Sequence, residues 1–249
     1  MKEILNKIQQ EMRYCGQIML NADRTPQMVS DKSGHANFVT TYDKLVQQEM
    51  QQRLGAILPE AEFIGEEDDE KKALEAGYAF IVDPIDGTTN FIKDYKCSCI
   101  SVGLLKDGKQ VLGAVYNPYL DEMFTAIAGQ GAYLNGQPIH VTDNPIEEAI
   151  VIFGTSPYYK ELNEPAFRAA YNYFQKSLDI RRSGSAAIDL CNVAAGRAEL
   201  FFELRLSPWD YAAGSLIVKE AGGVVTSFEG APLQFEEPMS VKATNGVCK

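Results

Sequence analysis

Histidine is scarce in this chain: 249 residues carry two, His35 and His140. Neither has an evident nucleophile partner and there is no Gly-x-Ser-x-Gly elbow, so Ser-His chemistry has no support. Cysteine is also sparse, with five residues at 15, 97, 99, 191 and 248. None forms a Cys-x-x-Cys pair, which excludes a disulfide framework and a zinc knuckle. Cys97 and Cys99 are expected on one face of a strand, as small buried hydrophobes. No run approaches the roughly 18 consecutive apolar residues of a membrane span, and no basic segment followed by an apolar one opens the chain. The expected location is cytoplasmic. Positive charge is in deficit, 23 Lys and Arg against 34 Asp and Glu for a net charge of −11. A nucleic-acid backbone or an anionic membrane would be repelled. A small ligand is the expected partner.

Internal repeats and linkers rich in Pro, Gly or Ser are missing too. Gly129, Gly131 and Gly136 lack the spacing of a dinucleotide fingerprint and open no helix. One continuous domain over 1–249 is expected, an α+β lobe over 1–144 followed by an α/β lobe over 145–249.

What the chain does have is a concentrated stretch from Ile81 to Phe91, Ile-Val-Asp-Pro-Ile-Asp-Gly-Thr-Thr-Asn-Phe. An apolar run (Tyr78 to Val82) delivers Asp83 and Asp86 to a turn, and Gly87-Thr88-Thr89 reads as a helix start. Carboxylates can hold a cation there, and free helix N–H groups an anion. Asp-Pro and Asp-Gly are also ordinary turn dipeptides, so the stretch alone leaves site and plain turn as open alternatives.

Around it the pattern reads in order. Ile4 to Met19 is an amphipathic helix, 21–37 a loop that carries Lys32, and Leu45 to Leu54 a second helix with Asp43 near its start. Glu62 to Gly65 is a short strand ending in the acidic run that begins at Glu66. Antiparallel hairpins follow, 98–105 with 110–116 across Asp107-Gly108, then 123–127, 132–134 and 139–141 across Asn135-Gly136, which puts His140 in a strand. Next come strand 150–153, helix 165–178, strand 180–182, a small-residue helix 186–195, strand 198–203, and a helix from Pro208 capped by Ser207. Strands 224–227 and 241–244 close the chain.

Asp43, Glu66, Asp83, Asp86 and Asp210 each end a strand or begin a helix, and together they form an oxygen-only ligand set. Three blocks that contain them, Ile64-Gly65-Glu66-Glu67, Asp83 to Phe91 and Trp209-Asp210-Tyr211-Ala212-Ala213-Gly214, resemble the signature segments of the inositol monophosphatase family in order and spacing. Val39 to Asp43 and Gly184-Ser185-Ala186-Ala187 add weaker matches. The resemblance implies a layered αβαβα sandwich of the sugar-phosphatase type, mixed α+β and α/β, and a Mg²⁺-dependent, Li⁺-inhibited homodimer.

It also implies roles. Glu66, Asp83 and the Ile85 carbonyl hold one Mg²⁺, and Asp83, Asp86 and Asp210 a second, with a third weaker ion near Glu66 and Lys32. Thr88 and Glu66 activate water, with Asp43 bonded to the Thr88 hydroxyl. Gly87 and Thr88 cradle phosphate, while Asp86, Gly184, Ser185, Ala186, Glu203 and Asp210 meet the substrate. Hard oxygen donors suit Mg²⁺, and divalent charge offsets the repulsion between a phosphate dianion and a carboxylate cluster. The implied reaction is hydrolysis of inositol monophosphate. Arg205 to Pro208 depart from the animal enzymes, which keeps fructose 1,6-bisphosphate, NADP⁺ and 3′-phosphoadenosine 5′-phosphate open as substrates; an inactive, phosphate-binding regulatory homologue is a further alternative, against which no metal ligand is replaced. Arg181, Arg182 and Arg205 are candidates for a second phosphate. Trp209 is expected to pack beside Asp210.

Overall fold

The computed structural model describes residues 1–23, 29–31, 38–68 and 76–248, with only the backbone at 29–31, 38 and 39. Lys32, His35 and the last two residues of the acidic run, Asp69 and Glu70, lie outside the described residues.

In chain order the elements are α1 (Lys2–Leu20), β1 (Val29–Asp31), β2 (Phe38–Thr40), α2 (Thr41–Ile57), β3 (Glu62–Gly65), β4 (Tyr78–Asp86) and α3 (Thr88–Ile92). The hairpin region follows as β5 (Cys99–Lys106), β6 (Lys109–Asn117), β7 (Glu122–Ile127), β8 (Ala132–Leu134) and β9 (Gln137–Ile139). The last part holds β10 (Ile150–Phe153), α4 (Asn163–Phe174), β11 (Asp179–Arg181), α5 (Ala186–Ala194), β12 (Leu200–Leu206), α6 (Pro208–Glu220), β13 (Val224–Thr226) and β14 (Met239–Thr244).

Two mixed sheets carry the molecule. The larger runs β3-β4-β5-β6-β7-β8-β9, with β3 parallel to β4 and antiparallel pairs from there on. The smaller runs β11-β10-β12-β14-β13, parallel across β11-β10-β12 and antiparallel beyond. Side chains alternate across a strand, and β4 uses both faces: Phe80 and Val82 pack with Ile8, Met12, Met50 and Leu54 of α1 and α2. Ile81 packs the other way with Leu190 of α5 and Tyr211, Ala213 and Ile217 of α6. That middle helix layer also meets Phe201, Val241 and Ala243 of the smaller sheet. The outer face of that sheet carries Phe153 and Phe202 against Ala170 and Tyr173 of α4. The layers therefore run α, β, α, β, α, as the resemblance implies.

Close approach of α6 to the larger sheet fixes where its first turn sits. Gly103 and Gly113 are cross-strand partners. A Cβ on Gly113 would lie 2.6 Å from the Ala213 carbonyl, and one on Gly103 2.9 Å from the Ala212 Cβ. The Ser101 hydroxyl adds a bond to the Trp209 carbonyl at 3.2 Å.

Several expectations change. The segment 21–37 is not all loop, because β1 pairs antiparallel with β2. Cys99 opens β5 and is buried, but Cys97 precedes the strand and is half-buried, so they share no strand face. The last hairpin strand ends at Ile139, leaving exposed His140 beyond it. Its start is set by the Asn135-Gly136 turn, both residues at positive φ, which pairs Leu134 with Gln137. Helix α4 stops at Phe174 rather than Leu178, and Leu178 is 67% exposed, so no core draws the last turn in.

Candidate active site

Asp83 and Asp86 are three apart, and on a regular strand they would face opposite layers. A bulge corrects this. Asp83 stands opposite Ser101 and Asp86 opposite Cys99, so Pro84 and Ile85 together face one residue of β5. Proline, which cannot donate to a ladder, is at home at such a bulge. Ser101 and Cys99 share a face, and their partners Asp83 and Asp86 therefore do too. β4 thus runs through to the acids, as a strand that ends in Asp83 and Asp86 requires.

Asp210 arrives from the first turn of α6. Its Oδ2 accepts from the Ser207 N–H at 2.7 Å in a capping box, and Pro208 opens the helix. One carboxylate oxygen from each of Asp83, Asp86 and Asp210 lies within 4.8 Å of the others. The hydrogen bonds to these acids leave an oxygen over on each. Asp83 accepts from the Ile85 N–H on Oδ1 (3.0 Å). Asp86 takes the Ser185 hydroxyl (2.6 Å) and the Ala187 N–H (2.8 Å) on Oδ2. Such buried, hard, oxygen-only donors fit Mg²⁺. Glu66 follows β3 immediately and is held by its N–H donating to the Val82 carbonyl at 3.1 Å.

Burial pushes the carboxyls of Asp83 and Asp210 well above the usual carboxylate range, and neighbouring acids push them further: Glu66 and Asp86 act on both. Asp86 is also raised by burial, against its hydrogen bonds. A cluster that resists ionising by itself calls for a cation.

Asp43 is fully buried at the start of α2. Its Oδ2 accepts from the Thr40 N–H (2.8 Å) and hydroxyl (2.5 Å), a capping box, so the dull structural role is real. Its Oδ1 accepts from the Thr88 hydroxyl at 3.2 Å, so the same acid also reaches α3. Helix α3 has only five residues, which makes it a source of local N–H groups rather than of a macrodipole. Gly87 caps it at φ 87°, and a Cβ there would sit 3.0 Å from the Cys97 carbonyl.

Glu66, Asp83, Ile85, Asp86, Gly87, Thr88, Gly184, Ser185, Ala186, Glu203 and Asp210 line one cleft of about 490 Å³. Asp43 backs it through Thr88. Glu203 is interior to β12, not at a strand end. Its Oε1 accepts from the Ser156 N–H (2.7 Å) and burial pushes its pKa up to about 7. Trp209 both packs on the central core and lines the cleft. Of the three arginines, Arg182 and Arg205 line it, while Arg181 pairs with Asp179 at the exposed end of β11. Sequence reasoning misses Asn90, Thr155, Ser156, Tyr158, Tyr159 and Asp189, which also line the cleft. None of them carries a sequence signal strong enough to single it out; even Asp189 reads as an ordinary helix acid.

Comparison with known proteins gives the same pattern over the whole chain. The model of the Inositol monophosphatase family matches residues 1–249. The protein named Nus factor SuhB of Escherichia coli (strain K12) is 36% identical over 92% of this chain and 87% of its own. Inositol monophosphatase 2 of Solanum lycopersicum is 37% identical over 100% of this chain and 96% of its own. The structure of extragenic suppressor protein suhB from Bartonella henselae superposes with a TM-score of 0.90 at 34% identity, covering 98% of this chain and 95% of that one. An IMPase/NADP phosphatase complexed with Mg²⁺ and phosphate superposes with a TM-score of 0.85 at 26% identity, over 99% and 90%. With the signature blocks meeting in one cleft and the match unbroken from first residue to last, the chain belongs to the inositol monophosphatase family.

Proposed function

We propose that this protein is a Mg²⁺-dependent phosphomonoesterase that hydrolyses inositol monophosphate to inositol and phosphate. The observation that carries the reading is the convergence of Asp83, Asp86 and Asp210 beside Thr88 and Glu66 in one cleft. The chain acts as one domain of two lobes, 1–144 and 145–249, and as a homodimer. Glu66, Asp83 and the Ile85 carbonyl would hold one Mg²⁺, and Asp83, Asp86 and Asp210 another. Bound there, Mg²⁺ supplies the positive charge that makes a water acidic and offsets charge on the phosphate and the departing oxygen.

The protein's own groups do the positioning. Asp43 accepts the Thr88 hydroxyl proton, which turns a Thr88 lone pair toward the cleft as an acceptor for the attacking water. Glu66 takes the one proton the water loses as its oxygen bonds to phosphorus, and the departing oxygen gains a proton from solvent water. The N–H groups of Gly87 and Thr88, which have no intrahelical acceptor, meet phosphate oxygens. Glu203 uses Oε2, which Ser156 leaves over, to accept from vicinal hydroxyls of the leaving group, and the Gly184 to Ala186 backbone lines the ring.

Arg182 and Arg205 in the cleft favour a second reading in which the ester carries another anionic group, as in fructose 1,6-bisphosphate or NADP⁺. Phosphate release compared across these esters separates the two. Inositol 1-phosphate is expected to be among the fastest, and a rate a hundredfold below the others would overturn the substrate assignment.

A further inference from the structure

Besides the carboxylate trio, the cleft is lined by two further buried acids, Asp189 and Glu203. Asp189 lies one turn into α5 from Ser185 and is 2% exposed. Its carboxyl is bonded by the Ser183 hydroxyl, but its Oδ1 is buried with no donor. Leaving a buried acceptor unmet is costly, and native structures keep such groups where something else meets them. Glu203 also lines the cleft, is buried with one oxygen over, and lies close enough to act on the Asp189 carboxyl. The nearby Arg182 is exposed, and its guanidinium donates through Nε (3.2 Å) and Nη2 (3.0 Å) to the Thr155 hydroxyl rather than to either acid.

We propose that Asp189 is a specificity-determining residue which, with Glu203, accepts hydrogen bonds from the hydroxyls of a neutral polyhydroxylated leaving group. This rests on the phosphatase reading above and deepens it. A polyol brings several O–H donors to a pocket with surplus acceptors. A leaving group with a second phosphate brings only more acceptors and negative charge beside two carboxyls. The outer torsion of an aspartate is broad and two-fold, so the carboxyl can turn its unmet oxygen toward an arriving hydroxyl within the space it already fills. The preference therefore goes to the ester whose alcohol is rich in hydroxyls and free of further anions.

The test compares the whole protein with Asp189→Asn in Mg²⁺, on inositol 1-phosphate and on p-nitrophenyl phosphate, which has no hydroxyl on its leaving group. The variant keeps the shape of the side chain and replaces an acceptor oxygen by a donor. KM for inositol 1-phosphate is expected to rise about tenfold, in line with loss of one buried hydrogen bond, with kcat and the p-nitrophenyl phosphate parameters within about twofold. The rise in melting temperature given by free inositol with phosphate should shrink in parallel. Equal losses on both esters, or no change on either, would overturn the assignment, the first by marking Asp189 as merely structural. A wild-type protein that hydrolyses neither ester would instead overturn the phosphatase reading and this inference with it. If Asp189→Asn fails to fold, Asp189→Glu is measured in its place; it retains the acceptor but displaces it, and the same split between the two esters is required.

Discussion

Thr88 shows how little a residue type says until its partners are known. Its hydroxyl lies 3.2 Å from Asp43 Oδ1 and 3.3 Å from the Ile85 carbonyl, two acceptors for its single proton, so with the proton on either one a lone pair is left over as an acceptor. Thr88→Val preserves volume and removes the relay; kcat is expected to fall by about 10² or more with little change in melting temperature. Asp43→Asn should separate two duties. Loss of the capping acceptor costs about 1 kcal/mol in stability, while kcat falls far more than that loss explains. Chemical unfolding beside steady-state kinetics measures both. Glu203 gives a prediction in pH. Its folded pKa is raised to about 7 from 4.5, so the folded state binds more protons between those values and stability falls as pH rises through that window. Fully ionised, the residue costs roughly 3 kcal/mol, and Glu203→Gln should flatten that part of the melting-temperature profile. The acids of the site were legible as residues, because Asp83, Asp86, Glu66 and Asp210 stand at element ends. Asp189 was not, since an acid within a helix normally reads as a solvated face.

Elements convert that residue list into a site. Hairpins were readable because Asp107-Gly108 and Asn135-Gly136 both occupy positive φ, as a two-residue turn requires. The bulge that turns Asp83 and Asp86 to one face of β4 was not, because it depends on the register of the partner strand. The seat of α6 was hidden for the same reason: Gly103 and Gly113 lie in strands where glycine looks like a weakness, and only the paired register shows that they admit a helix. Gly113→Ala places a methyl 2.6 Å from the Ala213 carbonyl, so α6 must move. The expected result is a loss of about 1–3 kcal/mol together with weakened Mg²⁺ binding, because Asp210 travels with the helix. Stability lost with Mg²⁺ affinity intact would contradict the view that this contact sets the position of Asp210.

At the scale of the whole molecule, a cleft lined by buried carboxyls and a net charge of −11 oppose the entry of an anionic substrate unless a cation is bound. No helix among the described residues is long and apolar enough to cross a membrane. Strong negative charge also disfavours direct contact with a nucleic-acid backbone, whatever a relative named Nus factor does in its own setting. The layered architecture followed from the alternation of periods along the chain, whereas the meeting of both halves at one cleft depended on packing that no local pattern records. Burial raises Asp83, Asp86 and Asp210 together, so removing Mg²⁺ with a chelator should lower the melting temperature more at pH 8 than at pH 5. The most direct test is phosphate release from inositol 1-phosphate by the wild-type chain and by Asp86→Asn, each with Mg²⁺ and with chelator. Turnover that requires Mg²⁺ and drops by at least about 10³ in folded Asp86→Asn is the predicted result. A folded wild-type protein that releases no phosphate in Mg²⁺, or one whose turnover survives chelation or Asp86→Asn, would contradict it.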